Sequence, residues 1–382
     1  MTNNNRRKRG TIGTIGAIII FILILLIMTL FMPFSFAPKS KSRNERYEYV
    51  MRDIFKDKDA KVTDIAMLGA HDAFTHNLSY TSIADSNDQD IVTNKVTGII
   101  AKGLAVRFSK AQNASAKSLL YSGVRYIDVR VTKMGDTYYT SHKYVSDTLE
   151  SYLKETIDFL DSHKGEFIIF DIQHFRTENG LNRELSSSEF SELFDYMETI
   201  KTESGKSIFD FAFYDSSTDE IKDLTYTKVT NNKESAGVII LSKKHPSNKV
   251  YYRDNDALYK HEADYYENIR SFWHQTNSNK EMINGIEYEY NYIIENNVKG
   301  MFVVNQAQKT ALIASAKIIK SLFGWSLLDM ANGFNAKLIK DEERFKRWLK
   351  AMPIFMVDNV TSKMGNFNAL ANKYIMEYNE SL

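Results

Sequence analysis

From residue 61 to residue 382, short apolar runs alternate with helical patterns, with no low-complexity linker and only two prolines, Pro246 and Pro353. An unbroken stretch of that kind reads as one large domain. Strands are predicted at 64–71, 126–131, 138–142, 167–172, 238–241, 271–274, 301–305 and 354–358. The clearest helix is 146–163, where Leu149, Tyr152, Leu153, Ile157 and Leu160 recur on one face. Asp147 and Glu150 have the spacing of a capping box, and Gly165 stands where a C-terminal cap is expected. Two further helices are predicted at 109–121 and 310–321. Strand–helix alternation carried through about eight units favours an α/β fold, a parallel TIM-type (β/α) barrel.

The first 60 residues follow a different rule. Residues 1–44 carry seven basic side chains and no acidic one, leaving 42 basic and 48 acidic residues in the remainder, a formal −6. Arg6–Arg9 precede a stretch without charge from Gly10 to Pro38. At 1.5 Å per residue, Thr11 to Met32 would make a helix of about 33 Å, enough for a bilayer core. The expectation is therefore a basic cytoplasmic end at 1–10, a transmembrane anchor at 11–36, a tether at 37–60 and a catalytic barrel at 61–382. The basic cluster would stay inside and put the body on the extracytoplasmic side. The alternative is a secreted protein after signal cleavage, disfavoured because the apolar stretch exceeds that of a usual signal and Pro38 follows the best cleavage pair. With no cysteine, disulfide scaffolds and thiolate zinc sites are excluded. A formal net charge of +1 argues against nucleic acid as a partner.

Chemistry-bearing residues gather at predicted strand ends, where a barrel of this type places its active site. The first strand ends Leu68-Gly69-Ala70-His71-Asp72. On the second, Tyr126, Asp128 and Arg130 share one face while Arg125, Ile127 and Val129 share the other. The third ends Ser141-His142. An acid and a base on one face of a core strand are costly unless paired or facing a site. A structural Asp128–Arg130 network and satisfied structural histidines are the bland reading of each residue alone. The set of two histidines, one arginine and several carboxylates points instead to catalysis.

That set resembles the X domain of phosphatidylinositol-specific phospholipase C in its metal-independent, bacterial-type form. The similarity is clearest over 63–178: a Gly-x-His-Asp turn, Gln112, then Gly-Val-Arg-x-x-Asp-x-Arg, a His-bearing strand and Glu-Phe-Ile-Ile-Phe. It implies His71 as the general base for the inositol 2-hydroxyl, oriented by Asp358. It implies His142 as the general acid for the departing diacylglycerol oxygen, supported by Asp72, and Arg130 on the phosphate in place of calcium. Asp128, Asp171, Gln173 and Lys243 would contact substrate, with Lys244 as the alternative to Lys243. The implied partner is phosphatidylinositol or a related phospholipid in a membrane, with no metal and no cofactor.

The sequence departs from the bacterial pattern at Ser141-His142-Lys143-Tyr144, where a glycine soon after the histidine is usual, and on the fourth strand, where Gln173 or His174 stands in place of an expected basic residue. Two rivals stand beside this reading. A metal-dependent glycerophosphodiesterase-like enzyme would hold a cation by a Glu-x-Asp pair, where this chain has Asp128 and Arg130. A catalytically inactive barrel that binds lipid head groups would be expected to lack a histidine or the arginine. His76, His163, His245 and His261 read as surface residues, and Trp273, Tyr251 and Tyr252 as packing residues.

Overall fold

The computed structural model describes residues 13–24, 46–88, 99–178, 185–213, 220–243, 250–254, 257–261, 268–310 and 326–382. Eleven strands form one sheet: β1 (Met67–Ala70), β2 (Val124–Met134), β3 (Thr137–His142), β4 (Tyr144–Thr148), β5 (Phe167–Arg176), β6 (Gly237–Ser242), β7 (Val250–Asp254), β8 (Ala257–His261), β9 (Ile269–Phe272), β10 (Phe302–Gln306) and β11 (Ile354–Val357). Their order is β8-β7-β6-β5-β2-β1-β11-β10-β9, with β3 and β4 branching from β2. The ladders from β6 through to β9 are all parallel. The α/β expectation holds, and the barrel expectation holds in part. Seven parallel strands curl into a half-barrel, and among the described residues no ladder joins β9 to β6 or β8.

The third predicted stave explains part of the shortfall. β3 returns antiparallel against β2 and continues antiparallel into β4. Only Gly135 and Asp136 separate β2 from β3, with Gly135 at φ +60°. A parallel return needs a crossover of about a dozen residues, so this spacing permits only a hairpin. β4 takes residues expected at the start of a helix. That helix is Leu149–Ser162, and its N-cap is Thr148, which accepts from the Ser151 amide, in place of an Asp147–Glu150 box. The predicted helix 109–121 shrinks to Ala116–Tyr121, capped by Ser115. The predicted strand at 271–274 moves back to Ile269–Phe272, because Ile269 is buried while Trp273 faces solvent. Most of the predicted helix 310–321 lies outside the described residues.

The register aligns one layer of the barrel interior. Met356, Gly69, Tyr126, Ile169 and Ile239 are level across five adjacent strands. A Cβ on Gly69 would stand 3.1 Å from both the Met356 backbone and the Tyr126 ring, a tight contact that favours glycine here. Side chains alternate, so two residues further on the same face reaches the level of Asp128 and Asp171. That level is where the polar groups converge.

The N-terminal expectations fare unevenly. Residues 13–24 are helical, with Ile15, Ile18, Ile19, Ile20 and Phe21 exposed. No helix among the described residues is long and apolar enough to cross a membrane. The basic end and the rest of the predicted span lie outside the described residues. Residues 46–60, the last part of the stretch expected as a tether, are folded onto the body, with Met51 and Phe55 buried.

A buried ion pair fastens that segment to the sheet. Arg125 Nε donates to Glu166 Oε2 at 2.7 Å, and both side chains are wholly buried. The guanidinium also donates to the carbonyls of Leu120, Val124, Tyr47 and Glu48. Glu166 accepts from the amides of Met51 and Arg52. Removing one partner leaves a buried charge unpaired. Arg125→Met is expected to lower unfolding free energy by about 3–5 kcal/mol, read from urea denaturation. Replacing both residues by apolar ones should cost less than that single change.

Candidate active site

Asp72 is the junction of the polar cluster. It follows β1 with φ +44°, a left-handed conformation that Asp tolerates better than most residues. Its amide donates to Asp128 Oδ2 at 3.1 Å. Its carboxylate, almost completely buried, contacts Arg130 Nε through one oxygen and stands 3.0 Å from His142 Nδ1 through the other. His142 Nδ1 also donates to the Ser109 carbonyl at 2.8 Å, which fixes its tautomer and leaves Nε2 for proton exchange.

His71 sits on the other side of the guanidinium. Its Nδ1 donates to Asp358 Oδ1 at 2.7 Å, and Arg130 Nη2 lies 3.0 Å from its Nε2. The two imidazole rings are 6.4 Å apart, nearly edge to face. Asp128 Oδ2 is 3.6 Å from Arg130 Nη2 and 3.8 Å from His71 Nε2. Three nearly buried carboxylates thus face one guanidinium and two imidazoles.

These charges set the proton affinities. Burial pulls His71 down, but Asp72 and Asp358 outweigh it and raise the ring to about 9. Burial pushes Asp72 up, yet Arg130 and the two histidines hold it well below the usual carboxylate range. Asp358 is raised, because burial exceeds the pull of His71. The Arg130 contact needs a lone pair on His71 Nε2, whereas the carboxylates favour a proton there. Protonating His71 therefore means giving up the guanidinium contact.

His71, Asp72, Asp128, Arg130, His142 and Asp358 are all brought together as the sequence suggested. Asp171, Gln173 and Lys243 form a second group on β5 and just after β6. Tyr126 and Gln173 both donate to Asp171 Oδ2, and Lys243 Nζ donates to Gln173 Oε1 at 3.3 Å. Lys243 is thereby placed in this group, while Lys244 lies outside the described residues. Lys143 adopts φ +62° at the β3–β4 turn, the conformation a glycine would take there.

The sequence names Gln112 without giving it a role, and points to neither Asn335 nor Ser109. Gln112 donates to the carbonyls of His71 and Val357 and accepts from the Val360 amide, joining the ends of β1 and β11. It does so from an irregular segment ahead of Ala116–Tyr121, not from the predicted helix. Asn335 donates to the Asp358 carbonyl. Ser109 acts through its backbone, which no side-chain pattern reveals. Two histidines expected at the surface are not there: His163 is buried against Phe159, and His76 is half-buried beside Tyr152.

His71, Asp72 and Asp128 form a trio with metal-ligand spacing. The Arg130 guanidinium contacts Asp72 and stands within 3.0–3.6 Å of the other two, so a fixed cation already serves the trio. A divalent ion placed there would be repelled by that guanidinium.

No family model matches the chain. Curated relatives do. The variant-surface-glycoprotein phospholipase C of Trypanosoma brucei brucei is 30% identical over 125 residues, covering 30% of this chain and 35% of that protein. PI-PLC X domain-containing protein 3 of Danio rerio is 30% identical over 129 residues, covering 32% of this chain and 40% of its own length. A PI-PLC X-box domain-containing protein of Dictyostelium discoideum is 29% identical, with 17% of that protein covered. The match thus spans well under half of these relatives' length. The phosphatidylinositol-specific phospholipase C of Listeria monocytogenes superposes with a TM-score of 0.56 at 15% identity, covering 87% of this chain and 98% of that structure. A Staphylococcus aureus enzyme of the same name gives 0.54 at 12% identity, covering 87% of this chain and 98% of that structure. The curated matches are PI-PLC X-domain proteins and a phospholipase C, in line with the resemblance read from the sequence. The solved structures show the same fold.

The His71 shift has a measurable consequence. Its folded value of about 9 exceeds the ordinary 6.5, so it contributes stability that is complete below 6.5 and lost as pH rises through about 9. Asp358→Asn should lower the His71 titration midpoint, followed by NMR of the ring protons, and flatten the fall in thermal midpoint over that pH range. A titration unchanged by the substitution would contradict the role given to Asp358.

Proposed function

We propose that this chain is a phosphatidylinositol-specific phospholipase C-type phosphodiesterase that works by intramolecular transphosphorylation without a metal. The arrangement that carries the reading is one arginine between two histidines, each histidine bound to its own carboxylate. The phospholipase C and X-domain relatives support the same reaction class, and the PI-PLC structures share the fold.

In this reading the inositol 2-hydroxyl attacks the phosphorus held by Arg130. Its proton passes to His71 Nε2, while Asp358 retains the Nδ1 proton and balances the imidazolium. The phosphorus–oxygen bond to glycerol breaks, and His142, charged beside Asp72, gives its proton to the departing oxygen. The products are diacylglycerol and inositol 1,2-cyclic phosphate. A hydroxyl already tethered to the phosphate makes displacement effectively unimolecular. The guanidinium meets charge that develops on the phosphoryl oxygens. Because His71 must be neutral to act as base, kcat/KM should climb between pH 7 and 9 in proportion to its deprotonated fraction.

Asp171, Gln173 and Lys243 would contact the head group, with an amide where bacterial-type enzymes place a base. The predicted anchor at 11–36 would hold the domain beside its lipid on the extracytoplasmic side. The metal-dependent rival is disfavoured by the position of Arg130, and the inactive-barrel rival by the complete histidine–arginine set.

The full chain should release cyclic inositol phosphate from phosphatidylinositol vesicles in EDTA. His71→Ala and His142→Ala should each lower kcat by about 10²–10⁴-fold. Arg130→Lys should also fail to restore activity, since a point charge cannot keep the contacts to Asp72, Asp128 and His71 together. Strict calcium dependence, or full activity in His71→Ala, would overturn this mechanism.

A further inference from the structure

The end of the sheet remote from the catalytic cluster contains a cavity of about 710 Å³. Its wall lies where strands begin, with Thr63 and Asp64 before β1, Met301 before β10 and Pro353 before β11. These strands are parallel, so their starts share the face opposite to His71 and Asp358, which follow the strand ends. The volume falls within the ~300–1,000 Å³ of small-molecule sites.

Two chemistries meet in that cavity. Ile293, Val298, Met301 and Pro353 give it apolar walls, and Ile294, 55% exposed, is a large aliphatic side chain left uncovered at its lining. Lys61, Lys222, Lys299 and Lys350 also line it, against Asp64 and Asp223. Lys61 lies 3.6 Å from Asp223, and Lys222 pairs with Glu220. Lys299 and Lys350 are exposed and have no ion-pair partner among the described residues. Gly300, at φ +74°, packs its Cα so near Lys222 that a Cβ would stand 2.9 Å from the Lys222 Cβ, which keeps the Lys299–Gly300 turn beside that lysine. The Thr63 hydroxyl in the same wall is buried without a hydrogen-bond partner among the described residues. The cavity therefore has positive charge in excess of its internal pairs, next to uncovered aliphatic surface.

We propose that this cavity binds a small amphiphilic anion, an aliphatic body carrying one anionic group. Lys299 and Lys350 hold the charge, and the aliphatic body covers Ile294. The site is distinct from the catalytic cluster and does not depend on the reaction proposed for it.

The test is titration calorimetry of the full chain with octyl phosphate below its micellar concentration. One site is expected, with affinity falling at least about tenfold in the Lys299→Glu/Lys350→Glu double variant and in Ile294→Asp. Both lysines are exposed, so the double variant should keep the parent thermal midpoint and its activity on phosphatidylinositol. Inorganic phosphate and octanol should each bind at least about tenfold more weakly than octyl phosphate, since each supplies one of the two chemistries. Absence of binding, or equal affinity in the double variant, would overturn the proposal. So would loss of binding in Arg130→Gln alone, which would place the probe at the catalytic cluster. Inorganic phosphate binding as well as octyl phosphate would overturn the amphiphile as the ligand class.

Discussion

The buried carboxylate of Asp72 joins the two halves of the polar cluster, contacting Arg130 on one side and His142 on the other. Burying a carboxylate costs several kcal/mol unless cations compensate it. Asp72 shares its surroundings with two further buried carboxylates, Asp128 and Asp358. Arg130 alone neutralises one of the three. Charge balance then favours a proton on His71, and its rise to about 9 expresses that demand. In the proposed reaction the general base must be drawn from the cluster against the field of its own carboxylates. Arg130 supplies the opposing influence, because its Nη2 can approach His71 Nε2 only when that nitrogen is bare.

The scaffold makes this crowding possible through register. Gly69 lets the Tyr126 ring pack against β1, and Tyr126 in turn donates to Asp171. One layer further on, Asp128 meets the Asp72 amide, so the turn after β1 is tied to β2 at the level where the charges gather. Gln112 ties β1 to β11 with three hydrogen bonds, fixing the spacing between His71 and Asp358. His142 arrives from a hairpin, whose left-handed Lys143 and contact with the Ser109 carbonyl set the ring's direction. The residues of the cluster therefore depend on backbone bonds at strand ends more than on helix packing.

Much of this was legible because strand alternation and strand-end position are local signals. Asp128 and Arg130 at i and i+2, and His71 one residue past an apolar run, could be placed on a face before any fold was known. The pairing of β3 was also legible in principle, since two residues after β2 cannot carry a crossover, but the apolar pattern of 138–142 alone looked like a stave. Closure was not legible. Whether β9 meets β6 depends on curl accumulated over seven strands, which no single segment encodes. Partners that act through the backbone, Ser109 above all, leave no trace in residue type. His163 reads as exposed in the sequence because its burial comes from stacking on Phe159 and from a tilted contact with Tyr49, which is distant in the chain.

The division of residues among strands bears on how such a site can change. His71, Asp72, Asp128, Arg130 and Asp358 come from β1, β2 and β11, and His142 from the hairpin. Asp171, Gln173 and Lys243 come from β5 and β6 and make their own chain of hydrogen bonds. The first group is bound by mutual charge compensation, so loss of one member leaves buried charge behind and costs stability as well as chemistry. The second group includes a neutral amide between a carboxylate and a lysine, and an amide can be exchanged without stranding a charge in the same way. If the second group contacts the head group, as proposed, those contacts can change while the charged cluster stays intact.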